Sequence, residues 1–185
     1  MLDRIRLLVL DVDGVLTDGR IVYDSAGGEA KAFHAADGQG IKYWLRAGHQ
    51  AAVLSGRESE TVQRRADELG IALVCMGAKD KLPAFEELLA RADASAEETC
   101  YVGDDLVDLP VLARAGFAVA VRDAPEEVRR TAHYVTRRPG GAGAVREVIE
   151  RILRYQDRWA DVTRRYEERL PAGLPGARRP WRPKP

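Results

Sequence analysis

The chain of 185 residues is long enough to bury a sizeable core as a single domain. Lysine plus arginine and aspartate plus glutamate each number 29, so the formal net charge is zero and indicates neither a nucleic acid nor a membrane surface as a partner. Charged residues interrupt any apolar leader near the N-terminus, and no stretch approaches the ~20 apolar residues of a membrane span, so we expect a soluble cytoplasmic protein.

Short apolar runs alternate along the chain with stretches of helical periodicity. The runs that predict buried strands are Ile5–Leu10, Ala51–Leu54, Ile71–Cys75, Cys100–Val102, Phe117–Val121 and His133–Val135. Between two of them, Ile41, Trp44 and Leu45 recur at helical spacing, which indicates that Trp44 is a core residue. Apolar strands that alternate with helices are typical of a parallel sheet covered on both faces, so we predict a Rossmann-like α/β fold. Cys75 and Cys100 lie inside apolar runs, which favours reduced core thiols over a disulfide.

The segment after the first strand breaks this alternation. Ile21–Tyr23 and Ala30–Phe33 flank a Gly-rich turn at Ala26–Gly28, a pattern that predicts a β-hairpin. Because the hairpin follows the first strand directly, we expect it to stand over the carboxyl end of that strand. It is too short to form a separate cap domain.

The C-terminal part of the chain changes in character. One helix is predicted over roughly Gly143–Tyr166, and its sequence becomes increasingly charged after Leu153. From Pro171 onward the chain is rich in proline, glycine and arginine and has no periodicity, which predicts an extended or disordered tail. We therefore divide the chain into a folded domain over residues 1–154 and a charged helix end with a Pro/Arg-rich tail over residues 155–185.

Polar side chains follow three of the predicted strands at the point where each strand ends. Asp11 and Asp13 follow the first strand, Ser55–Arg57 follow the second, and Gly103–Asp105 follow the fourth, with Asp108 close behind. Ligands of open α/β sheets bind beyond the carboxyl ends of the strands. The sequence therefore predicts that acids, a hydroxyl and a tight turn gather at one edge of the sheet.

These residue types suit a divalent cation and a phosphate group. Carboxylates that share a site repel each other unless a cation holds them, and oxygen-only ligands favour Mg²⁺. The Ser55-Gly56 turn is expected to open a helix whose free amides suit a phosphate, although Ser55 with Glu58 also fits a capping box. Lys81 can supply a positive charge. Together these features predict metal-assisted phosphoryl transfer with an aspartate as nucleophile.

The motifs resemble those of the haloacid dehalogenase superfamily. They are DVDGVLTDG, LSGR, Lys81 within KDKLPAF, and VGDDLVD, in that order along the chain. The segments KAFHAADGQGIKYW and HYVTRRPGGAGAVREV further resemble one branch, the phosphatases of 3-deoxy-D-manno-octulosonate 8-phosphate (KDO 8-phosphate). The resemblance extends from about Ile5 to Leu153 and implies a parallel sheet flanked by helices, with a short hairpin flap and no cap domain.

The resemblance also implies roles for individual residues. Asp11 matches the nucleophile and Asp13 the general acid/base, while Asp11, the Asp13 carbonyl and Asp104 match the ligands of Mg²⁺. Ser55 and Lys81 match the hydroxyl and the cation that bind the phosphate, and Lys81 also restrains the nucleophile.

The resemblance implies less specific roles for five further residues. Gly56 belongs to the phosphate-binding turn, and Arg57 matches an arginine that binds the carboxylate of the sugar acid. Arg65 matches another position in contact with substrate, and its alternative is a surface arginine. Asp108 matches the acid that orients Lys81 or metal-bound water. Asp105 is either a neighbour of the metal site or the cap of the following helix.

The resemblance extends to assembly and leaves alternatives for function. Four subunits of this branch pack their hairpins together and cover one another's sites, so we expect a homotetramer with active sites at subunit interfaces. The alternatives are a phosphatase for KDN 9-phosphate or one of relaxed specificity, and a non-catalytic oligomerising or regulatory module. A KDN-type enzyme carries glutamate where this chain has Arg57. The chain departs from the family at Ala142, where the usual residue is arginine, and in its tail.

Overall fold

A parallel sheet of six strands forms the centre of the structure, a computed structural model that describes residues 1–168. The strands are β1 (Leu7–Leu10), β2 (Val22–Tyr23), β3 (Glu29–Ala30), β4 (Gln50–Leu54), β5 (Leu73–Cys75), β6 (Thr99–Gly103), β7 (Phe117–Ala120) and β8 (Tyr134–Val135). The helices are α1 (Ala35–Arg46), α2 (Glu60–Leu69), α3 (Lys81–Ala92), α4 (Leu109–Arg114), α5 (Glu126–Thr131), α6 (Ala144–Tyr155) and α7 (Trp159–Glu167). Short 3₁₀ turns lie at Leu2–Arg4, Ala96–Glu98 and Leu106–Asp108.

The strand order in the main sheet is β5-β4-β1-β6-β7-β8, and every pairing is parallel. Strand β1 lies inside the sheet, with Leu7 opposite Gln50 of β4 on one side and Thr99 of β6 on the other. All four of its side chains are buried, because helices cover both faces of the sheet. The predicted parallel α/β fold is confirmed, and the six predicted strands are present: β4 and β6 are one or two residues longer than predicted, and the other four are one or two residues shorter.

Helices α1 and α6 pack against each other through a buried acid. Asp37 of α1 accepts hydrogen bonds from the backbone N–H groups of Gly143, at 3.1 Å, and Arg146, at 2.7 Å. The first turn of α6 therefore takes its cap from another helix, since Gly143 has no side chain to provide one. Trp44, also on α1, is fully buried as predicted, and its indole N–H donates to the carbonyl of Gln50 at 2.7 Å.

The prediction of a single C-terminal helix is wrong. Helix α6 ends at Tyr155 and α7 begins at Trp159, with a turn in which Asp157 adopts the left-handed region at φ +57°. The side-chain amide of Gln156 donates to the carbonyls of Leu2 and Ile5, both at 2.8 Å, and fixes this turn to the start of the chain. The tail predicted from Pro171 lies outside the described residues.

The predicted hairpin is present as an antiparallel pair of two-residue strands, β2 and β3. The Asp24 carboxylate accepts hydrogen bonds from the N–H groups of Ala26 and Gly28, at 2.8 and 2.7 Å, which closes the turn. Beside this turn, Val22 and Tyr23 expose more than half of their surface.

Two other predictions concern membrane-spanning segments and the state of the cysteines. Within residues 1–168, no helix has the length and apolar character that crossing a membrane requires. Both cysteines are free; Cys100 is buried and Cys75 is half-buried.

Candidate active site

Four side chains from three segments meet at the carboxyl edge of the main sheet. Asp11 directly follows β1, Lys81 is the first residue of α3, and Asp104 and Asp108 follow β6. The carboxylate oxygens of the three acids lie within 4.8 Å of one another. The structure thus brings together residues that are separated by almost one hundred positions in the chain, as the strand-end pattern predicts.

Lys81 joins two of these acids. Its Nζ lies 3.0 Å from Asp11 Oδ1 and 2.6 Å from Asp108 Oδ1, and all three side chains are buried. Burial alone lowers the pKa of Lys81, but the two carboxylates outweigh that effect and raise it. Lys81 is therefore a fixed cation at the sheet edge.

Asp108 is fixed from several directions. Its Oδ1 also accepts a hydrogen bond from the buried Tyr101 hydroxyl at 2.6 Å. Its Oδ2 accepts from the backbone N–H groups of Asp104, at 2.8 Å, and Asp105, at 3.1 Å. The Asp105 side chain is exposed, and it caps the 3₁₀ turn by accepting a hydrogen bond from the N–H of Leu106 at 2.8 Å. Of the two roles considered for Asp105, the structure therefore shows the cap.

Asp104 is suited to a metal ion. Its Oδ1 is buried and accepts no hydrogen bond from any described residue, which is costly for an acid. Without a cation, burial and then the charge of Asp11 raise the pKa of Asp104 to about 9. Burial likewise raises the pKa of Asp11 to about 6, against the opposing effect of Lys81. Carboxylate oxygens are the hard ligands that Mg²⁺ prefers, and a bound Mg²⁺ would compensate the negative charges of both Asp11 and Asp104.

Glycines allow the loop after β1 to approach these acids. Gly14 has φ +93°, and a Cβ atom there would lie 2.0 Å from Asp104 Oδ2. A Cβ at Gly140 would lie 1.6 Å from the carbonyl oxygen of Gly14, and the N–H of Gly141 donates to Val15 at 2.9 Å. The loop before α6 therefore packs directly on the loop that carries Asp11.

The hairpin contributes residues that the sequence analysis did not single out. Lys31 follows β3 and donates a hydrogen bond to Asp13 Oδ1, and it lies 3.2 Å from Glu29 Oε1. Arg57 Nη2 lies 3.1 Å from the same Glu29 oxygen and 3.2 Å from the Tyr23 hydroxyl. The available signal for a polar face was the pair of charged residues at positions 29 and 31, although the predicted strand, Ala30–Phe33, begins one residue after Glu29.

The turn after β4 differs in detail from the prediction. Ser55 is buried, and its Oγ accepts a hydrogen bond from the N–H of Arg57 at 3.2 Å, with Gly56 between them. Helix α2 begins only at Glu60, and its cap is Ser59, which accepts from Val62. The predicted capping role of Ser55 is therefore wrong, because the turn continues for four more residues. Since β4 pairs with β1, Ser55 still lies at the same sheet edge as Asp11.

Arg65 lies on α2 and contacts its own helix and Phe33, which precedes α1. Its guanidinium lies 3.2 Å from Glu68 and stacks over the ring of Phe33 at 5.6 Å from the ring centre. Its predicted contact with substrate stays a prediction. Ala142 lies half-buried in the loop before α6, where it presents only a methyl group.

Comparison with known proteins identifies relatives across most of the chain. A family model for haloacid dehalogenase-like hydrolases matches residues 74–149. The 3-deoxy-D-manno-octulosonate 8-phosphate phosphatase of Yersinia pestis is 46% identical over 159 residues, which cover 86% of this chain and 85% of the relative. The phosphatase of the same name from Haemophilus influenzae is 46% identical over 84% of this chain and 86% of the relative.

Solved structures share the fold closely. The 3-deoxy-D-manno-octulosonate 8-phosphate phosphatase of Moraxella catarrhalis, crystallised with magnesium, phosphate and KDO, has a TM-score of 0.87 and 40% identity, covering 89% of this chain and 95% of that one. The cobalt-bound Haemophilus influenzae enzyme has a TM-score of 0.82 and 46% identity, covering 84% of this chain and 91% of that one.

Proposed function

The chain belongs to the haloacid dehalogenase-like hydrolases and, within them, to the KDO 8-phosphate phosphatases, and on that premise we propose that it hydrolyses KDO 8-phosphate to KDO and phosphate through an aspartyl-phosphate. It is a phosphomonoesterase. The observation that carries the proposed mechanism is the buried Asp11, which Lys81 holds at 3.0 Å beside the unpartnered oxygen of Asp104.

Magnesium is the cofactor. Asp11, the carbonyl of Asp13 and Asp104 are the groups that would hold it, and when bound it neutralises the repulsion among the carboxylates and withdraws charge from the phosphoryl oxygens. In this proposal Asp108 does not touch the reacting atoms. It fixes Lys81 instead, through the contact of 2.6 Å.

The first step forms a covalent intermediate. A carboxylate oxygen of Asp11 attacks phosphorus, a new O–P bond forms, and the bond between phosphorus and the sugar oxygen breaks. The departing sugar oxygen keeps the electron pair of that bond and takes a proton from the carboxyl group of Asp13. Lys81, the Ser55 hydroxyl and the amides of the turn at Gly56 bind the phosphoryl oxygens during the transfer.

The second step releases phosphate. The Asp13 carboxylate takes a proton from water, and the water oxygen attacks the phosphorus of the aspartyl-phosphate. The bond between phosphorus and Asp11 breaks, which returns Asp11 as a carboxylate and leaves Asp13 protonated for the next cycle. Asp13 thus acts as the general acid in the first step and as the general base in the second.

Arginine side chains support the choice of a sugar acid as substrate. A guanidinium binds a carboxylate with two parallel hydrogen bonds, and Arg57 lies beside Asp13, with its Nε 3.7 Å from Asp13 Oδ2. In our proposal Arg57 binds the substrate carboxylate and Arg65 contributes a further contact. A KDN-type enzyme carries glutamate at position 57, so the arginine favours KDO 8-phosphate.

The substrate is tested by phosphate release from KDO 8-phosphate, KDN 9-phosphate and simple hexose phosphates, with Mg²⁺ and with a chelator. We expect kcat/KM to be highest for KDO 8-phosphate by at least about tenfold, and activity to disappear with the chelator. Equal rates on all substrates would indicate relaxed specificity. Release from none of them would favour a non-catalytic module.

The covalent step is tested separately with p-nitrophenyl phosphate, whose leaving group needs no acid. Asp13→Asn should retain one phosphoryl group per chain in an intact-protein mass spectrum, because dephosphorylation lacks its base. Asp11→Asn should retain none and should not turn over, because a neutral amide is a poor nucleophile. Wild-type activity in Asp11→Asn would exclude Asp11 as the nucleophile.

We also propose a homotetramer in which neighbouring hairpins cover each site. The support is that the described chain has a hairpin of two short strands in place of a cap domain, and that this hairpin exposes Ile21, Val22 and Tyr23. A phosphatase without a cap needs another means of excluding water from its reactive intermediate.

A further inference from the structure

The hairpin presents two opposite charges to the candidate active site. Glu29 and Lys31 are two positions apart at strand β3, so both side chains point to the same face. The Lys31 side chain has no exposed surface, and its Nζ contacts both Glu29 and Asp13. A buried ammonium is stable only where acids compensate its charge. These contacts therefore make Asp13, although it follows β1, a partner of the hairpin.

Glu29 connects the same face to the turn after β4. Its carboxylate lies 3.1 Å from Arg57 Nη2 and accepts a hydrogen bond from the Ser59 hydroxyl, while its carbonyl accepts one from Thr61 at 3.4 Å. Four contacts thus fix Glu29. The acid is an anchor for Lys31 and Arg57.

Asp13 and Asp11 are held by different partners. Asp11 is held by Lys81, and its backbone N–H donates to the carbonyl of Val102 at 3.1 Å. Among residues 1–168, the one side-chain or backbone group that donates a hydrogen bond to the Asp13 carboxylate is Lys31. The nearby Arg57 Nε, at 3.7 Å from Asp13 Oδ2, is too distant for such a bond.

We propose that Lys31 is the positioning residue for Asp13 and that Glu29 anchors it. This inference rests on the proposed function, in which Asp13 gives a proton to the sugar oxygen and then takes one from water. Both transfers need the carboxyl group within hydrogen-bond reach of the reacting atom. Lys31 occupies Asp13 Oδ1 and so leaves Oδ2 as the oxygen that exchanges protons.

The test is Lys31→Met, assayed on KDO 8-phosphate and on p-nitrophenyl phosphate. On KDO 8-phosphate, kcat should fall by about 100-fold with KM changed by less than about threefold, because a misplaced acid/base slows chemistry rather than binding. With p-nitrophenyl phosphate the first step needs no acid, whereas the second still needs the base. We therefore expect a burst of one p-nitrophenol per active site, followed by slow turnover.

The burst distinguishes positioning from a general structural defect, which would reduce both steps together. Lys31→Arg keeps the charge and the hydrogen-bond donors, so its kcat should be at least about tenfold higher than that of Lys31→Met. Arg20→Met is the matched control, since it removes an exposed cation near the hairpin that pairs only weakly with Asp18, at 3.6 Å, and it should keep wild-type kinetics. Thermal unfolding of each variant verifies that it is folded.

If Lys31→Met does not fold, the same pair of assays on Lys31→Gln decides the matter. The inference fails if the folded variant keeps wild-type kcat on KDO 8-phosphate, or if it loses activity equally on both substrates without a burst. If the wild-type protein itself releases no phosphate from either substrate, the proposed function fails instead.

Discussion

The Nζ of Lys81 lies 2.6 Å from Asp108, closer than the 3.0 Å that separates it from Asp11. Asp108 therefore fixes the lysine more tightly than the proposed nucleophile does. It can do so because its own carboxylate is held by the Tyr101 hydroxyl and two backbone N–H groups. A fully buried acid behind the site thus determines where the cation beside Asp11 stands.

Replacement of Asp108 should therefore cost stability as well as activity. Asp108→Ala leaves the buried ammonium of Lys81 and the Tyr101 hydroxyl without this partner, so the free energy of unfolding should fall by about 3–5 kcal/mol. Asp105→Ala, which removes only an exposed cap, should cost about 1 kcal/mol. Urea unfolding measures both, and equal losses would contradict this account of Asp108.

A methyl group at Gly14 should displace Asp104. Gly14→Ala adds backbone strain at φ +93° and places Cβ on the Asp104 carboxylate. Gly27→Ala is the matched control, because φ there is +86° but no atom lies within 4 Å of the added Cβ. Both variants should lose about 1–2 kcal/mol to strain, whereas only Gly14→Ala should weaken Mg²⁺ binding, by at least about tenfold. Calorimetric titration with Mg²⁺ measures the difference, and unchanged affinity in Gly14→Ala would contradict it.

The metal-free protein should become less stable as pH rises. The folded state raises the pKa of Asp104 to about 9 and that of Asp11 to about 6, both from 3.8, so in this range it binds more protons than the unfolded state does. Stability then falls with increasing pH from about pH 4 until the folded-state pKa values are passed.

The test is to measure melting temperatures with a chelator and with Mg²⁺ between about pH 5 and about pH 9, the range in which Asp11 and Asp104 lose their protons in the folded state. We expect a downward slope with the chelator and a flatter curve with Mg²⁺, which binds the ionised carboxylates and removes the cost. Asp104→Asn should flatten the chelator curve as well. A chelator curve that rises over this range would show that the carboxylates ionise normally in the folded protein.

Light scattering should show a tetramer at micromolar concentration. Val22→Asp places a charge on the exposed face of the hairpin and should produce smaller species, because charges are depleted from the cores of interfaces. Tyr155→Asp, at an exposed aromatic residue of α6 outside the hairpin, is the control and should remain tetrameric. A monomeric wild-type protein would refute the proposed assembly.

Strand positions and the convergence of the site could be predicted from sequence, since both follow from general rules. A run such as Leu7–Leu10 is apolar at every position because both faces of the strand are buried. Once the sheet is parallel, the residues after each strand must share one edge, which brings Asp11 and Asp104 together without any knowledge of loop geometry.

The features that sequence reasoning missed depend on local backbone geometry or on long-range contacts. Asp157 ends α6 in a left-handed conformation, which glycine would have signalled but aspartate does not. Ser55 and Ser59 are both capable caps, and only the length of the turn decides between them. Lys31 resembles any solvent-exposed lysine of a hairpin until the fold places it against Asp13.

Because β1 lies in the middle of the sheet, the order in which the strands are synthesised differs from their order in the sheet. Among the described strands β1 comes first in the chain, yet its partner β6 ends at Gly103, and the loop that packs on Gly14 contains Gly140. A nascent chain must therefore carry an apolar strand with one edge unpaired until β6 has been translated, a state prone to aggregation. The loop that carries Asp11 acquires its packing partner only when Gly140 has been translated, so a chain interrupted before that residue would hold the sequence motifs of the family but lack their geometry.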